Sequence, residues 1–117
     1  MGIQFTQQNL LQNATEYATR SHRVISQNMA NVNTPEYQTR EISFERFVEQ
    51  MSSKNESNRS PVQLEVETLD HLPTRMDGNN VDLDNELAKL KQNELFHQTL
   101  IQLLGSKADT MRAAMRR

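Results

Sequence analysis

Apolar residues along this chain fall into two helix-length stripes, separated by a polar, turn-rich stretch. In the first stripe Leu11, Ala14, Ala18, Ser21, Ile25, Asn28 and Val32 recur at alternating steps of three and four. That spacing holds one edge of an α-helix against a partner and predicts a heptad seam. Leu10, Tyr17 and Val24 widen the stripe on one side. Thr6 is placed to cap the helix, and Phe5 before it can pack on Leu10 as a hydrophobic staple. The predicted N-terminal helix therefore covers 6–32. Several seam positions are small or polar, so the helix packs closely, buries little area and is marginal alone.

The second stripe is longer. Leu87, Leu90, Glu94, His97, Ile101, Leu104, Ala108, Met111 and Met115 again run at steps of three and four. Leu83, Leu95, Leu100 and Leu103 broaden it. Asp82 is the expected cap of a C-terminal helix over 82–115. Asp82, Asp84 and Glu86 open it, and Lys107, Arg112, Arg116 and Arg117 close it. That order complements the helix dipole. Gly105 is its weak point, costing about 1 kcal/mol against Ala in a helix interior.

Between the helices, residues 33–80 hold all three prolines and read as an irregular middle. Phe44, Phe47, Val48 and Met51 have helical spacing, which predicts a short helix near 43–51. Ser52 to Ser60 is loop-like, whereas Val62, Leu64 and Val66 alternate with polar residues as a short extended segment does. Asp77-Gly78-Asn79-Asn80 predicts a turn ahead of the last helix. The chain thus reads as one all-α domain, 1–117. Its long terminal helices pair as an antiparallel coiled-coil-like hairpin. The expected contact sets Leu11, Ala14, Ala18, Ile25 and Val32 against Leu87, Leu90, Ile101, Leu104 and Met111.

Composition narrows the class. Ala, Val, Ile, Leu, Met, Phe and Gly total 42 of 117 residues, below the roughly 45–50% of an ordinary globular domain. The net charge is only −2, which excludes neither folding nor solubility but argues against a nucleic-acid partner. The middle is acidic: residues 41–80 sum to −4, and each outer third to +1. No apolar run is long enough for a transmembrane segment. The first residues show neither the basic region nor the apolar core of a cleaved signal peptide. With no Cys there is no thiolate metal site or Cys nucleophile. His22, His71 and His97 have no metal-ligand spacing, and three glycines cannot build a phosphate cradle. No cofactor, metal, catalytic residue or small-molecule substrate is expected. The composition suits a part whose core is completed by its neighbours.

The informative segment is Ser26-Gln27-Asn28-Met29-Ala30-Asn31-Val32-Asn33-Thr34-Pro35-Glu36-Tyr37. Read plainly, it is a helix end: an amide-rich last turn, then Thr-Pro as a stop, because the residue before proline avoids the helical region. Asn31 and Asn33 can bond orphan carbonyls or hold turn conformations. The crowding of amides is not explained by that. Asn28, Ala30, Asn31, Thr34, Pro35 and Tyr37, with Ser26 ahead of them, resemble the N-terminal signature of the flagellar basal-body rod and hook family. Glu36 stands where that pattern has Gly. A type II turn needs a positive φ there, so a type I turn or a strained Glu is expected. Asp77-Gly78-Asn79-Asn80-Val81-Asp82-Leu83, Leu103-Leu104-Gly105-Ser106-Lys107 and Met111-Arg112-Ala113-Ala114 resemble the proximal-rod members of that family.

The resemblance implies a non-enzymatic axial subunit. Such subunits pass unfolded through the flagellar type III export apparatus, without a cleaved signal peptide, and polymerise helically into the rod that carries motor torque across the periplasm. Implied partners are other rod subunits and copies of itself, the base-plate or MS-ring, and the export gate. Phe44-Glu45-Arg46-Phe47-Val48 resembles the family's short export-gate recognition element; the same residues also suit one packed face of a short helix. The alternative function is a soluble helical-hairpin adaptor or chaperone, expected to be compact and to melt cooperatively. An axial subunit instead gains helix on assembly.

Overall fold

A computed structural model describes residues 2–53 and 63–116. Helix α1 spans Gly2–Ala30, strand β1 Arg40–Ile42, helix α2 Phe44–Ser53, strand β2 Val66–Thr68 and helix α3 Leu83–Met115. The chain is mainly helical, with long N- and C-terminal helices and two short strands. It is elongated, with extents of 66 × 28 × 14 Å. Helix α3 runs unbroken through Gly105, and its 33 residues span about 50 Å at ~1.5 Å each. Asp82 caps it as expected, its side chain accepting from the backbone N–H groups of Asp84 and Asn85.

Helix α1 is already helical from Gly2, so Thr6 lies inside it and is not its cap. It ends at Ala30, where the last turn tightens. The Asn31 N–H reaches both Gln27 O (3.0 Å) and Asn28 O (3.2 Å), and the Val32 N–H reaches Met29 O (3.3 Å). In the middle, α2 occupies the position its spacing predicts. The extended segment is narrower than expected: β2 begins at Val66, Leu64 precedes it, and Val62 lies outside the described residues. Strand β1 was not legible, because three residues are too few to show alternation. It pairs antiparallel with β2 in the register Arg40↔Thr68, Glu41↔Glu67, Ile42↔Val66.

The core lies where α1, α2 and α3 meet. Ala14, Ala18, Phe47 and Leu100 are buried together, with Leu11, Tyr17, Met51, Leu64 and Phe96 packed around them. Tyr17 stacks on Phe47 (ring centroids 5.0 Å apart) and meets Phe96 edge-on at 6.4 Å. Such aromatic pairs add roughly 0.5–1.5 kcal/mol each beyond the area they bury. Alanines at 14 and 18 let the helix backbones approach so closely that Asn93 Nδ2 donates to Ala18 O at 2.8 Å.

The face that α3 turns to α1 differs from the expected one. Buried or half-buried positions are Glu86, Asn93, Leu100 and Lys107, one heptad apart, flanked by Leu90, Phe96 and His97. Leu87, Ile101, Leu104 and Met111, expected at the contact, are exposed. The physical reason is polar. Glu86 and Asn93 are hydrogen-bonded to α1, and Phe96 joins the aromatic cluster. These three anchors set the rotation of α3. A rotation of α3 that buried those aliphatic groups would break these contacts.

Candidate functional site

The signature segment forms a hydrogen-bonded joint between the end of α1 and the start of α3. Asn28 is its hub, fully buried on the inner face of α1. An amide offers two N–H donors and an oxygen with two lone pairs. All four are used here. Nδ2 donates to Arg40 O (2.7 Å) and to Glu86 Oε2 (3.1 Å). Oδ1 accepts from Tyr37 Oη (2.8 Å) and from the Arg40 N–H (3.0 Å). One side chain thus holds the start of β1, the turn and the first turn of α3. Glu86 is itself buried, and its other oxygen lies 3.5 Å from Lys89 Nζ, which also reaches Glu41 at 3.4 Å.

The other amides work locally. Asn31 Nδ2 returns to Gln27 O at 2.8 Å, taking up one of the carbonyls that a helix end leaves free. Asn31 Oδ1 accepts from Thr34 Oγ1 at 3.0 Å. Thr34, Pro35, Glu36 and Tyr37 form the turn, closed by the Tyr37 N–H on Thr34 O at 3.3 Å. Glu36 has φ +63°, so the strained alternative is realised and the type I turn is not. A side chain in that left-handed region costs roughly 1–2 kcal/mol. The turn is held down from outside: the Glu36 N–H donates to Asp77 O at 2.9 Å. Gly78, also at positive φ, lies beneath it, and a Cβ there would sit 3.2 Å from Glu36 Cα.

Asn79 and Asn80 complete the joint from the other side. Asn79 Nδ2 donates to both Asn31 O (2.9 Å) and Thr34 O (2.8 Å), and its Oδ1 accepts from the Val81 N–H. Asn80 Oδ1 accepts from the Thr39 N–H at 2.6 Å, while its Nδ2 donates to Leu69 O at 2.6 Å. Arg75 reaches across to Val32 O. Asn79, Asn80 and Thr39 are buried, so their bonds are shielded from water, whereas the Arg75 bond is exposed. Burial also raises the Tyr37 hydroxyl above its ordinary value, with Arg40 nearby opposing the rise.

Of the signature residues, Asn28, Asn31, Thr34 and Tyr37 are brought together here. Ala30 and Pro35 are exposed at the helix end and the turn. Asn79, Asn80, Thr39, Glu86 and Arg75 also hold the joint; the sequence marks Asn79 and Asn80 only as a turn before the last helix and Glu86 only as a charge suited to its dipole, and Thr39 and Arg75 not at all. The available signal was the amide pair directly after Asp77-Gly78. In the export-gate candidate Phe47 is buried, whereas Phe44 and Val48 are exposed. Among the described residues no group of three His, Cys, Asp or Glu side chains could hold a metal ion. Nor is any helix there long and apolar enough to cross a membrane.

The joint links segments that lie far apart in the chain, so a relative sharing it should match from end to end. No protein-family model matches the chain. Individual proteins do. The chain is 29% identical to the flagellar basal body rod protein FlgB of Bacillus subtilis over 119 aligned positions, covering 90% of this chain and 89% of that one. It is 25% identical to FlgB of Salmonella typhimurium over 118 positions, 86% of each chain. With FlgB of Borrelia hermsii the identity is 33% over 93 positions, 63% of this chain and 69% of the relative. This chain belongs to the FlgB family of flagellar basal body rod proteins. Its role is therefore that of a structural component of the basal body rod. The buried amides of the joint tie the end of α1 to the start of α3 in this FlgB-family chain.

Proposed function

We propose that this chain is exported through the flagellar type III apparatus, without a cleaved signal peptide, and polymerises helically into the proximal rod. There it carries torque across the periplasm and contributes to motility. Its partners are copies of itself, other rod subunits, the base-plate or MS-ring and, in transit, the export gate. It takes no nucleic acid, cofactor or small-molecule substrate. The chain works as one domain, 1–117, in which α1 and α3 pair as an antiparallel coiled-coil-like hairpin. Leu11, Ala14, Ala18 and Ile25 of α1 supply one side of that pairing, and Val32 follows just beyond its end. Leu90 and Leu100 stand on the other.

The observation that carries this reading is the exposed apolar surface of a thin two-helix body. Leu87, Ile101, Leu104 and Met111 stay open to solvent on α3, although the same helix is anchored by buried polar bonds. A subunit that completes its burial against neighbours has this form. Ile25→Asp and Leu104→Asp test it in a strain lacking its own copy. Ile25 is buried, so its variant loses both fold and assembly. Leu104 is exposed, so its variant folds, is secreted and fails to build motile filaments. Normal motility with Leu104→Asp would refute the reading.

Recognition by the export gate through Phe44, Phe47 and Val48 belongs to the same proposal. Phe47 is buried in the folded chain, so the element is read only before folding. Exchange of Phe44 and Phe47 for Ala should lower secretion; unchanged secretion rules the element out.

A further inference from the structure

We propose that the distal half of α3 docks on the α2–β lobe of a second copy of this chain, making a head-to-tail contact. The inference rests on the reading of the chain as a polymerising rod subunit, and it names which two surfaces meet.

The two surfaces differ in charge and share exposed apolar groups. The described residues from Ile101 to Arg116 carry Lys107, Arg112 and Arg116 against Asp109 alone, a net charge of +2; the Lys107 ammonium is buried, whereas Arg112, 4.0 Å from Asp109, and Arg116 are exposed. Ile101 is 55% exposed and Leu103 52% exposed, so the basic arm is also greasy. The lobe is the reverse. Its described residues between Glu41 and Asp70 carry six carboxylates against Arg46 alone, a net charge of −5. Its Arg46 is committed to Glu65 and Glu67 at 3.9 and 2.5 Å, which leaves the exposed Glu45, Glu49 and Asp70 as the accessible charge. Apolar groups stand among them: Phe44 is 51% exposed and Val66 52% exposed.

Within one subunit the lobe packs on Tyr17, Phe96 and, at the root of the arm, Leu100, whereas Leu103, Lys107 and Met111 of the arm line a groove with Leu10 and Leu11. A contact between two different patches of identical chains is heterologous and does not close on itself unless the rotation permits a ring. Repeated, it generates an open helical array. Opposite charge sets the register and orientation of such a contact, and the apolar groups supply the burial.

Charge exchange tests this in the full-length chain expressed as the sole copy. Glu45, Glu49, Arg112 and Arg116 are all exposed, so reversing them leaves the fold in place. Arg112→Glu with Arg116→Glu reverses the arm; Glu45→Lys with Glu49→Lys reverses the lobe. Two exposed pairs at roughly 0.5 kcal/mol each amount to about a fivefold change in binding. Each reversal alone should lower the chain recovered per purified basal body by about that factor, with secretion unchanged. All four together should restore it. Neutral single reversals, or a fourfold variant no better than either parent, would overturn the docking. If the unaltered chain is itself absent from basal bodies, the rod reading fails instead.

Discussion

Exchange of Asn28 for Asp is the sharpest perturbation of the joint, because it keeps the shape and removes only the two N–H donors. In their place stands an oxygen, facing Arg40 O at 2.7 Å and Glu86 Oε2 at 3.1 Å. Two buried acceptors lose their donor, at about 1–3 kcal/mol each. Two carboxylates also face one another; at an effective dielectric of about 20 that repulsion reaches roughly 5 kcal/mol. Uptake of one proton relieves it, and holding a carboxyl of ordinary value near 4 protonated at pH 7 costs about 4 kcal/mol. The variant should therefore lose about 4–6 kcal/mol at pH 7, comparable with the whole stability of a small domain. Urea denaturation followed by far-UV circular dichroism measures it. The deficit should shrink by several kcal/mol between pH 7 and pH 4, where a proton is freely available. Adding Glu86→Gln should recover part of it at pH 7, since the new amide can donate to Asp at 28. A loss under 1 kcal/mol, or one independent of pH, would show that Asn28 is not the hub.

Four further outcomes follow from the structure. Glu36→Gly should stabilise the chain by up to about 1 kcal/mol, the relief of a left-handed residue less the extra entropy glycine gives the unfolded chain; a lower melting temperature would refute the strain. Gly78→Ala should instead destabilise, because its Cβ would press on the Glu36 backbone at 3.2 Å; calorimetry showing no change would count against the close approach. Phe47→Ala should cost about 3–5 kcal/mol as a core truncation, whereas Phe44→Ala, half exposed, should cost clearly less, and equal losses in urea titrations would contradict the burial. On the alkaline side, burial raises the Tyr17 and Tyr37 hydroxyls above the ordinary 10.0. The unfolded chain then loses those protons first, so stability is intact below pH 10 and falls as pH rises through the folded values. Tyr17→Phe should flatten that fall, and an unchanged alkaline slope would exclude the assignment.

The helices were legible because heptad spacing survives even when the seam residues are small or polar. Ala14, Ala18 and Ile25 lie on the predicted face of α1 and are buried. The face of α3 was not legible. Aliphatic periodicity pointed to Leu87, Ile101 and Leu104, but Glu86, Asn93 and Phe96 set the rotation, and a charged residue does not announce its own burial. The same limit applied to the joint. The signature marked Asn28, Asn31, Thr34 and Tyr37, while Asn79 and Asn80 read as turn residues and Thr39 carried no signal. Their partners are 41–48 positions away, and no local pattern shows such pairing. Glu36 was legible as a conflict, since a turn whose family form favours Gly carried a side chain.

A helical reconstruction of the assembled rod at side-chain resolution would decide whether this chain is a rod subunit with the joint intact. Density for the chain is expected within the rod, with Asn28 on Glu86 and Ala18 beside Asn93 inside a single subunit. The exposed face of α3 should be covered by a neighbour. A rod lacking this chain, or one in which its α1 and α3 lie apart with the Asn28–Glu86 contact broken, would contradict it.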